Sequence, residues 1–193
     1  MPADGRDSDH FRFAIPAFIG ASRKLTGALE LASALRLAAP DGRVGHALRV
    51  ATLMHQAGYE EDVVAASLLQ AVADGTTKDV ERIRVACGDD VGDLVSVLVD
   101  EPSNGSYEQR LAAQRVRVAR SDRIAAAIFA ADQLTRIRAI AAAGLRPTGV
   151  EFRHYRRTVT ALARAFPELP FIAEIRFELG GFVGGRWARP KRG

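Results

Sequence analysis

The fold of this chain is decided by residues 121–140, which read SDRIAAAIFAADQLTRIRAI. Alanine has the highest intrinsic helix propensity, and the larger apolar residues here recur every three or four positions, as on one face of a helix. Ser121 is a suitable N-cap, because its side chain can accept a backbone hydrogen bond at the start of a helix. Gly144 and Pro147 are typical of the end of a helix. The stretch therefore predicts one long, alanine-rich helix over residues 122–143.

The same helical spacing continues over most of the remaining chain. The clearest case is Val91, Leu94, Val95 and Leu98, which share one face of a helix because they lie at i, i+3, i+4 and i+7. No stretch alternates apolar and polar residues over the length of a strand, and no internal repeat is present. We therefore predict an all-α fold, with further helices over residues 25–37, 44–57, 61–69, 78–87, 107–120 and 152–166 and a short element over 170–179.

The chain is predicted to form one helical domain between two tails. Its 193 residues are enough for a single buried core. Residues 1–21 are assigned to an N-terminal tail that is partly disordered, residues 22–182 to the helical domain, and residues 183–193 to a basic C-terminal tail. The glycine-rich and basic composition of the second tail favours disorder.

The composition excludes several classes of protein. A single cysteine excludes a disulfide scaffold and a cysteine-based zinc cluster. No apolar run approaches the roughly 18 residues that a membrane-spanning helix needs. The N-terminus lacks the basic start and the apolar core of a signal peptide. We therefore expect a cytoplasmic protein without a membrane partner.

Charge is distributed unevenly along the chain. The formal net charge is +4, but residues 58–108 carry 12 acidic and 3 basic groups, whereas residues 109–193 carry 17 basic and 6 acidic groups. These opposite charges either pair within the fold or leave an arginine-rich surface for an anionic ligand. Arg153 and Arg157 are interpreted as part of a solvated helix face that balances the acidic segment.

Asp132 is the polar residue in the most unusual surroundings, because it shares a helix face with Ile124 and Ile128. A carboxylate on a buried face needs a metal ion, an arginine or several hydrogen-bond donors. His46, near the start of a helix, reads by itself as a packed or capping residue, and His154 is predicted to lie on the surface. Motifs of P-loop, Rossmann, serine hydrolase and HExxH proteins are missing from the sequence.

The order of these segments resembles the HD phosphohydrolase superfamily, and within it the RelA/SpoT-type (p)ppGpp hydrolase domain. His46 is similar to the first histidine of that family, and AASLLQAVADGT (residues 65–76) to its AALLHDxxEDT segment. CGDDVGDLVSVLVDE (residues 87–101) resembles its FGxxVxxLVxxVT helix, and FAADQLTRIRAI (residues 129–140) its KLADRLxNL-type helix. The resemblance covers about residues 22–182 and implies a single HD-domain-like helical bundle.

The chain departs from this family at the residues that carry the chemistry. The resemblance implies a site in which two histidines and two aspartates hold a divalent ion, usually manganese, that activates water against a phosphoester. Only His46 and Asp132 remain of these ligands, because the family's His-Asp pair is Gln70-Ala71 here. Of the Glu-Asp pair that supports water activation, one acid survives as Asp74, which is a catalytic candidate only if the protein is an active hydrolase.

Four residues are candidates for lining the vacated pocket or binding a ligand in it, and one of them is Arg138, a further arginine on the helix of Arg136. Arg136 replaces the asparagine of the family's RLxNL motif, and an arginine fork can bind phosphate through two hydrogen bonds. Tyr155 is similar to a family tyrosine that stacks on the nucleotide or contacts its phosphate. Gln70, at the place of the family histidine, can offer a carbonyl oxygen.

These departures predict a degenerate HD-domain protein, a pseudoenzyme that keeps the fold but not the hydrolytic metal. It would need no cofactor and would bind a guanine nucleotide or alarmone, or a protein partner. The alternative is an active (p)ppGpp or nucleotide phosphohydrolase whose Mn²⁺ site is rebuilt from His46, Gln70, Asp74 and Asp132. Nucleic acid is the least favoured partner, because no recognition helix is apparent. Without a metal Asp132 needs another partner, and we predict direct contact between Asp132 and His46.

Overall fold

The structure is a computed structural model that describes residues 15–36, 42–73, 76–99 and 105–184. Asp74 and most of both predicted tails lie outside these ranges. All regular secondary structure in the described ranges is helical, which confirms the all-α prediction. The helices are α1 (Ala17–Gly20), α2 (Arg23–Arg36), α3 (Arg43–Gln56), α4 (Glu61–Gln70), α5 (Thr77–Cys87), α6 (Asp89–Leu98), α7 (Tyr107–Ala119), α8 (Arg123–Ala142), α9 (Gly149–Ala165) and α10 (Ile172–Val183).

The long helix α8 is capped by a different residue from the one that the sequence predicts. Asp122 has an extended backbone, and its carboxylate accepts a hydrogen bond from the Ala125 amide at 2.8 Å. Ser121, the predicted N-cap, instead donates its hydroxyl to the Val118 carbonyl at the end of α7. A carboxylate at this position also interacts favourably with the positive end of the helix dipole. The prediction of Ser121 as the N-cap is therefore wrong by one residue.

Helix α8 lies at the centre of the bundle and contacts α3, α4, α6, α7, α9 and α10. Residues 125–135 are all buried, so this helix has no solvated face along that stretch. A helix that is buried all round needs small or apolar residues on every side, which explains its run of alanines. The three polar exceptions, Asp132, Gln133 and Thr135, are each 4% exposed and must find partners inside the protein; Thr135 donates its hydroxyl to the Ala131 carbonyl of its own helix.

The packed part of the chain extends slightly beyond the predicted domain at both ends. Ile19 in α1 is 1% exposed and belongs to the core, although it falls in the segment 1–21 assigned to the tail. Helix α10 ends at Val183, the first residue of the segment assigned to the C-terminal tail. No helix among the described residues has the length and the apolar character needed to cross a membrane.

Candidate ligand-binding site

The predicted site residues meet in one cleft. This cleft has a volume of about 590 Å³ and is lined by side chains from α3, α7, α8 and α9 and from the end of α4. Asp74, the remaining predicted residue, lies outside the described ranges. The fold therefore brings together segments that are far apart in the sequence. The predicted residues that line the cleft are His46, Gln70, Asp132, Arg136 and Tyr155.

Asp132 accepts three hydrogen bonds that come from three different side chains. Its Oδ1 accepts one from Nε2 of His46 at 2.7 Å. Its Oδ2 accepts one from Nε of Arg136 at 2.8 Å and another from Nε2 of Gln133 at 3.0 Å. The predicted contact between Asp132 and His46 is confirmed. Both carboxylate oxygens are therefore occupied by groups of the protein itself.

These partners keep Asp132 ionised. Burial by itself would raise the pKa of this carboxyl, but the positive charge of Arg136 and the hydrogen bond from His46 outweigh it. The pKa of Asp132 consequently lies well below its usual range. In return, the charge of Asp132 raises the pKa of Arg136. Arg136 follows Asp132 by four residues, so one turn of α8 places the two groups side by side.

A directional chain of hydrogen bonds continues from Asp132 through the core. Because a carboxylate only accepts, Gln133 must point its amide nitrogen at Asp132 and its Oε1 at His154. Nε2 of His154 must then donate to that oxygen, at 3.0 Å. The other ring nitrogen, Nδ1, accepts from Nη1 of Arg115 at 3.2 Å. Each group thus has one possible role, and His154 is held as a neutral ring with its proton on Nε2.

The prediction that His154 lies on the surface is wrong. This residue is 6% exposed, because α7 and α8 both pack against the side of α9 that carries it. Burial, together with the positive charges of Arg115 and Arg136, lowers the pKa of His154 to about 4. The apolar stripe that the sequence shows on α9 is one edge of a wider buried face.

Acid is expected to destabilise the fold through His154. The unfolded chain takes up a proton near the ordinary histidine pKa of 6.5, whereas the folded state does so only near 4. The free energy of unfolding should therefore fall by about 2 kcal/mol between these pH values. Urea denaturation of the wild type and of His154→Gln, at pH 7 and pH 4.5, measures how much of the loss of stability in acid is due to His154. The variant should lose less stability on acidification, and equal losses would contradict the neutral, buried state of His154.

Two side chains of the cleft have donor nitrogens without a partner among the described residues. The side chain of Arg136 is 53% exposed and uses Nε for Asp132. Its two terminal nitrogens, Nη1 and Nη2, make no hydrogen bond with any described residue. Nε2 of Gln70 is buried and likewise lacks a partner within the described ranges. An unpaired buried donor is costly, so the cleft is suited to a ligand rich in acceptor oxygens.

The described residues of the cleft do not fit a divalent metal ion. Both oxygens of Asp132 accept hydrogen bonds, and the guanidinium of Arg136 is 2.8 Å from one of them. A second cation at this carboxylate would be repelled by the arginine. Gln70 offers at most an amide oxygen, and Ala71, which also lines the cleft, offers no ligand atom. Among the described residues, no three His, Cys, Asp or Glu side chains are grouped closely enough to hold a metal.

The remaining predicted residues occupy two different environments. Tyr155 is 4% exposed, and burial raises the pKa of its hydroxyl. Its ring lies 5.7 Å from that of His154, so it forms part of the wall of the cleft. Arg153 and Arg157 lie on the opposite, solvated side of α9, where both approach the carboxylate of Glu108, at 4.0 and 3.8 Å.

Sequence reasoning did not identify Gln133 and Arg115 as members of the site. Gln133 directly follows Asp132 in a helix that is buried on all sides, so its amide also needed an internal partner. The sequence carries one signal that points to the arrangement, namely the four-residue spacing of Asp132 and Arg136, which favours an ion pair on a helix. Arg115 is on α7, and only the packing of α7 against α9 brings it to His154.

Comparison with known proteins identifies solved structures that share this architecture. No protein-family model matches the sequence, and no curated protein matches it. Among solved structures, lmo0812 from Listeria monocytogenes EGD-e superimposes with a TM-score of 0.64 at 24% identity, over 72% of this chain and 99% of that chain. A metazoan ortholog of SpoT, which hydrolyses ppGpp and plays a role in starvation responses, superimposes with a TM-score of 0.65 at 21% identity. That match covers 86% of this chain and 96% of the ortholog.

The chain therefore has the HD-domain fold of the SpoT-type ppGpp hydrolases. This confirms the resemblance that the sequence motifs indicate, at the level of the fold. At these identities the likeness concerns the path of the chain, and function has to be argued from the site.

Proposed function

We propose that this protein binds a guanine nucleotide or alarmone of the (p)ppGpp type in the cleft and does not hydrolyse it with a metal ion. The observation that carries the proposal is the ion pair between Arg136 and Asp132. By the resemblance, Asp132 corresponds to a metal ligand in the hydrolases of this fold. In this chain a guanidinium, joined covalently to the same helix, supplies the positive charge beside that carboxylate.

The groups that face the cleft suit a phosphorylated nucleoside. Nη1 and Nη2 of Arg136 form a planar pair of donors that matches two oxygens of a phosphate group. The unpartnered Nε2 of Gln70 adds a neutral donor. Tyr107 is 54% exposed and lines the same cleft, so its ring offers a face on which a base can stack. A ligand that combines an aromatic base with phosphate groups would engage all three residues.

The same geometry argues against hydrolysis by the alternative route, a metal site rebuilt from His46, Gln70, Asp74 and Asp132. Such a site would require the ion pair of Arg136 with Asp132 to open and the hydrogen bond from His46 to break. It would also require Asp74 to supply a further ligand. Breaking a buried pair without a replacement costs several kcal/mol. Nothing in the described residues compensates for that cost, so the binding function is favoured.

Arg136→Gln is expected to weaken the binding of ppGpp about tenfold or more. The variant removes a charge-assisted, two-point contact with phosphate, and hydrogen bonds to charged groups contribute about 1.5–3 kcal/mol each. Isothermal titration calorimetry with ppGpp, in the presence of EDTA, measures the affinity without any contribution from a metal. Arg136→Lys should fall between the wild type and Arg136→Gln, because it keeps the charge and loses the fork.

Arg138→Gln is the matched control for this experiment. The prediction that Arg138 lines the pocket is wrong, because this residue is not among those that line the cleft. It is on the same helix as Arg136, is similarly exposed, and pairs with Glu178 at 3.1 Å. Its substitution should leave the ppGpp affinity unchanged. Equal affinities of the wild type and Arg136→Gln would contradict the assignment of Arg136. Release of pyrophosphate from ppGpp by the wild type with Mn²⁺, abolished in Asp132→Ala, would show that the protein is an active hydrolase.

A further inference from the structure

Helix α9 carries an exposed face of four arginines, Arg153, Arg156, Arg157 and Arg164, here called the arginine face. Glu108 is the one carboxylate that the described residues place within 4 Å of these groups. It is 52% exposed and is shared between Arg153 and Arg157. Exposed pairs of this kind contribute little, so the arginine face keeps a net charge of about +3.

Helices α5 and α6 carry an excess of negative charge. Arg84 is approached by Glu81 at 3.8 Å, Asp89 at 3.3 Å and Asp93 at 2.8 Å, so one guanidinium serves three exposed carboxylates. Asp90, about 60° around α6 from Asp93, is exposed and forms no ion pair with any described residue. We call these four carboxylates, with Arg84 among them, the acidic face; its net charge is about −3.

The two faces do not neutralise each other within one molecule. Helix α9 contacts α7, α8 and α10 but neither α5 nor α6 within the described residues. The opposite charges of the middle and the second half of the chain therefore remain largely separated at these surfaces. Of the two outcomes that the sequence left open, the structure supports an exposed arginine-rich surface on α9.

A groove accompanies the arginine face, and an exposed apolar side chain accompanies the acidic face. The arginine face borders a groove of about 800 Å³ that also contains the small residues Thr160, Ala161 and Ala165. On α5, Val85 is 81% exposed and follows Glu81 by one turn, so an exposed apolar side chain lies at the edge of the acidic face. The other cations of α5, Lys78 and Arg82, lie about 120° and 160° around the helix from Arg84, and Val85 lies between them and Glu81. An exposed apolar side chain thus borders the acidic face, and a groove with small residues borders the arginine face.

We infer that the arginine face binds the acidic face of a second copy of this chain. Because each face is different, the contact is heterologous, and each molecule can offer one face to each of two neighbours. The charges steer the encounter and set the register, and Val85 packs against the small residues of the groove. This contact does not involve the cleft and does not depend on the proposed function.

Analytical ultracentrifugation of the wild type and two charge-reversal variants tests the contact. The variants are Arg156→Glu and Asp90→Arg, chosen because neither residue forms an ion pair with a described residue. The wild type should associate at low salt and dissociate at high salt, because exposed charges are screened. Each variant alone should associate at least about tenfold more weakly, because like charges then face each other.

Mixing the two variants gives the sharpest readout. Arg156→Glu still has an intact acidic face and Asp90→Arg an intact arginine face, so one unmodified contact can form between them. The mixture should associate far more strongly than either variant alone, because the two altered faces are also opposite in charge and can pair as well. The double variant should regain self-association through the swapped charges. Arg176→Glu on α10, with the same change in net charge as Arg156→Glu, should associate as the wild type does.

Several results would overturn the inference. One is a wild type that stays monomeric at low salt up to about 1 mM, where even an interaction of roughly −4 kcal/mol would be visible. Another is a mixture of the two variants that does not associate. Binding of single-stranded RNA that depends on Arg156, without self-association, would assign the arginine face to nucleic acid. Thermal melting of each variant confirms that it is folded.

Discussion

Asp132→Ala is expected to lower the free energy of unfolding by about 3 kcal/mol. The substitution removes the acceptor of three hydrogen bonds at once. It leaves Nε2 of Gln133 unpaired in a site that is 4% exposed, and Nε2 of His46 loses its partner among the described residues. Arg136 contributes less to the loss of stability, because its side chain is 53% exposed and its guanidinium can form hydrogen bonds with water instead.

Urea denaturation at pH 7 measures this effect, with two further variants for comparison. Asp132→Asn keeps the shape and should lose less stability, although its amide nitrogen faces a donor. Asp93→Ala removes a carboxylate that is 70% exposed and pairs with Arg84, so its loss should be below about 1 kcal/mol. If Asp132→Ala costs no more than Asp93→Ala, the carboxylate does not hold the site together.

The helical architecture could be predicted from the sequence because its causes are local. Periodic apolar residues and capping side chains set where each helix begins and ends, and Thr76 does cap α5 by accepting a hydrogen bond from the Asp79 amide. The error at the start of α8 concerns adjacent residues, Ser121 and Asp122, that can both cap a helix. Local rules narrow the choice to these two and do not decide between them.

The chemistry of the site could be predicted only in part, because it depends on packing. The need of Asp132 for a partner follows from its place among alanines, and the motif order points to His46. The roles of Gln133, His154 and Arg115 follow from α7, α8 and α9 meeting at one place. The spacing of residues within a single helix does not show which other helices pack against it. A histidine that is held neutral by its burial and by a neighbouring arginine is a property of the tertiary structure.

The substitutions at the cleft form a consistent set. An arginine at position 136 beside Asp132 supplies, within the chain, the positive charge that a metal would supply in the hydrolases that the sequence resembles. Ligands at positions 70 and 71 are then unnecessary, and a further cation would be repelled. The same arginine lines the cleft and keeps two terminal nitrogens without a partner among the described residues, so under the proposed function one residue both stabilises the carboxylate and contacts phosphate.

If this exchange of charge is correct, reversing it should create a metal site. The triple variant Gln70→His, Ala71→Asp and Arg136→Asn is expected to bind Mn²⁺ roughly 100-fold more tightly than the wild type. Positions 70 and 71 line the same cleft as His46 and Asp132, so the substitutions put an imidazole and a carboxylate at the cleft that holds the two remaining ligands. Removal of the guanidinium frees Asp132 to bind a cation.

Equilibrium dialysis of metal-stripped protein against Mn²⁺ measures this gain. The double variant Gln70→His and Ala71→Asp, which keeps Arg136, should bind more weakly than the triple variant, because the guanidinium still repels the ion. The difference in Mn²⁺ affinity between the two variants separates the effect of the Arg136 charge from the effect of the added ligand side chains. Adding His46→Ala to the triple variant should remove most of the gain. Stoichiometric binding of Mn²⁺ by the wild type, lost in both His46→Ala and Asp132→Ala, would instead mean that the site is already rebuilt, because a guanidinium and a metal ion cannot share Asp132 without a strong cost.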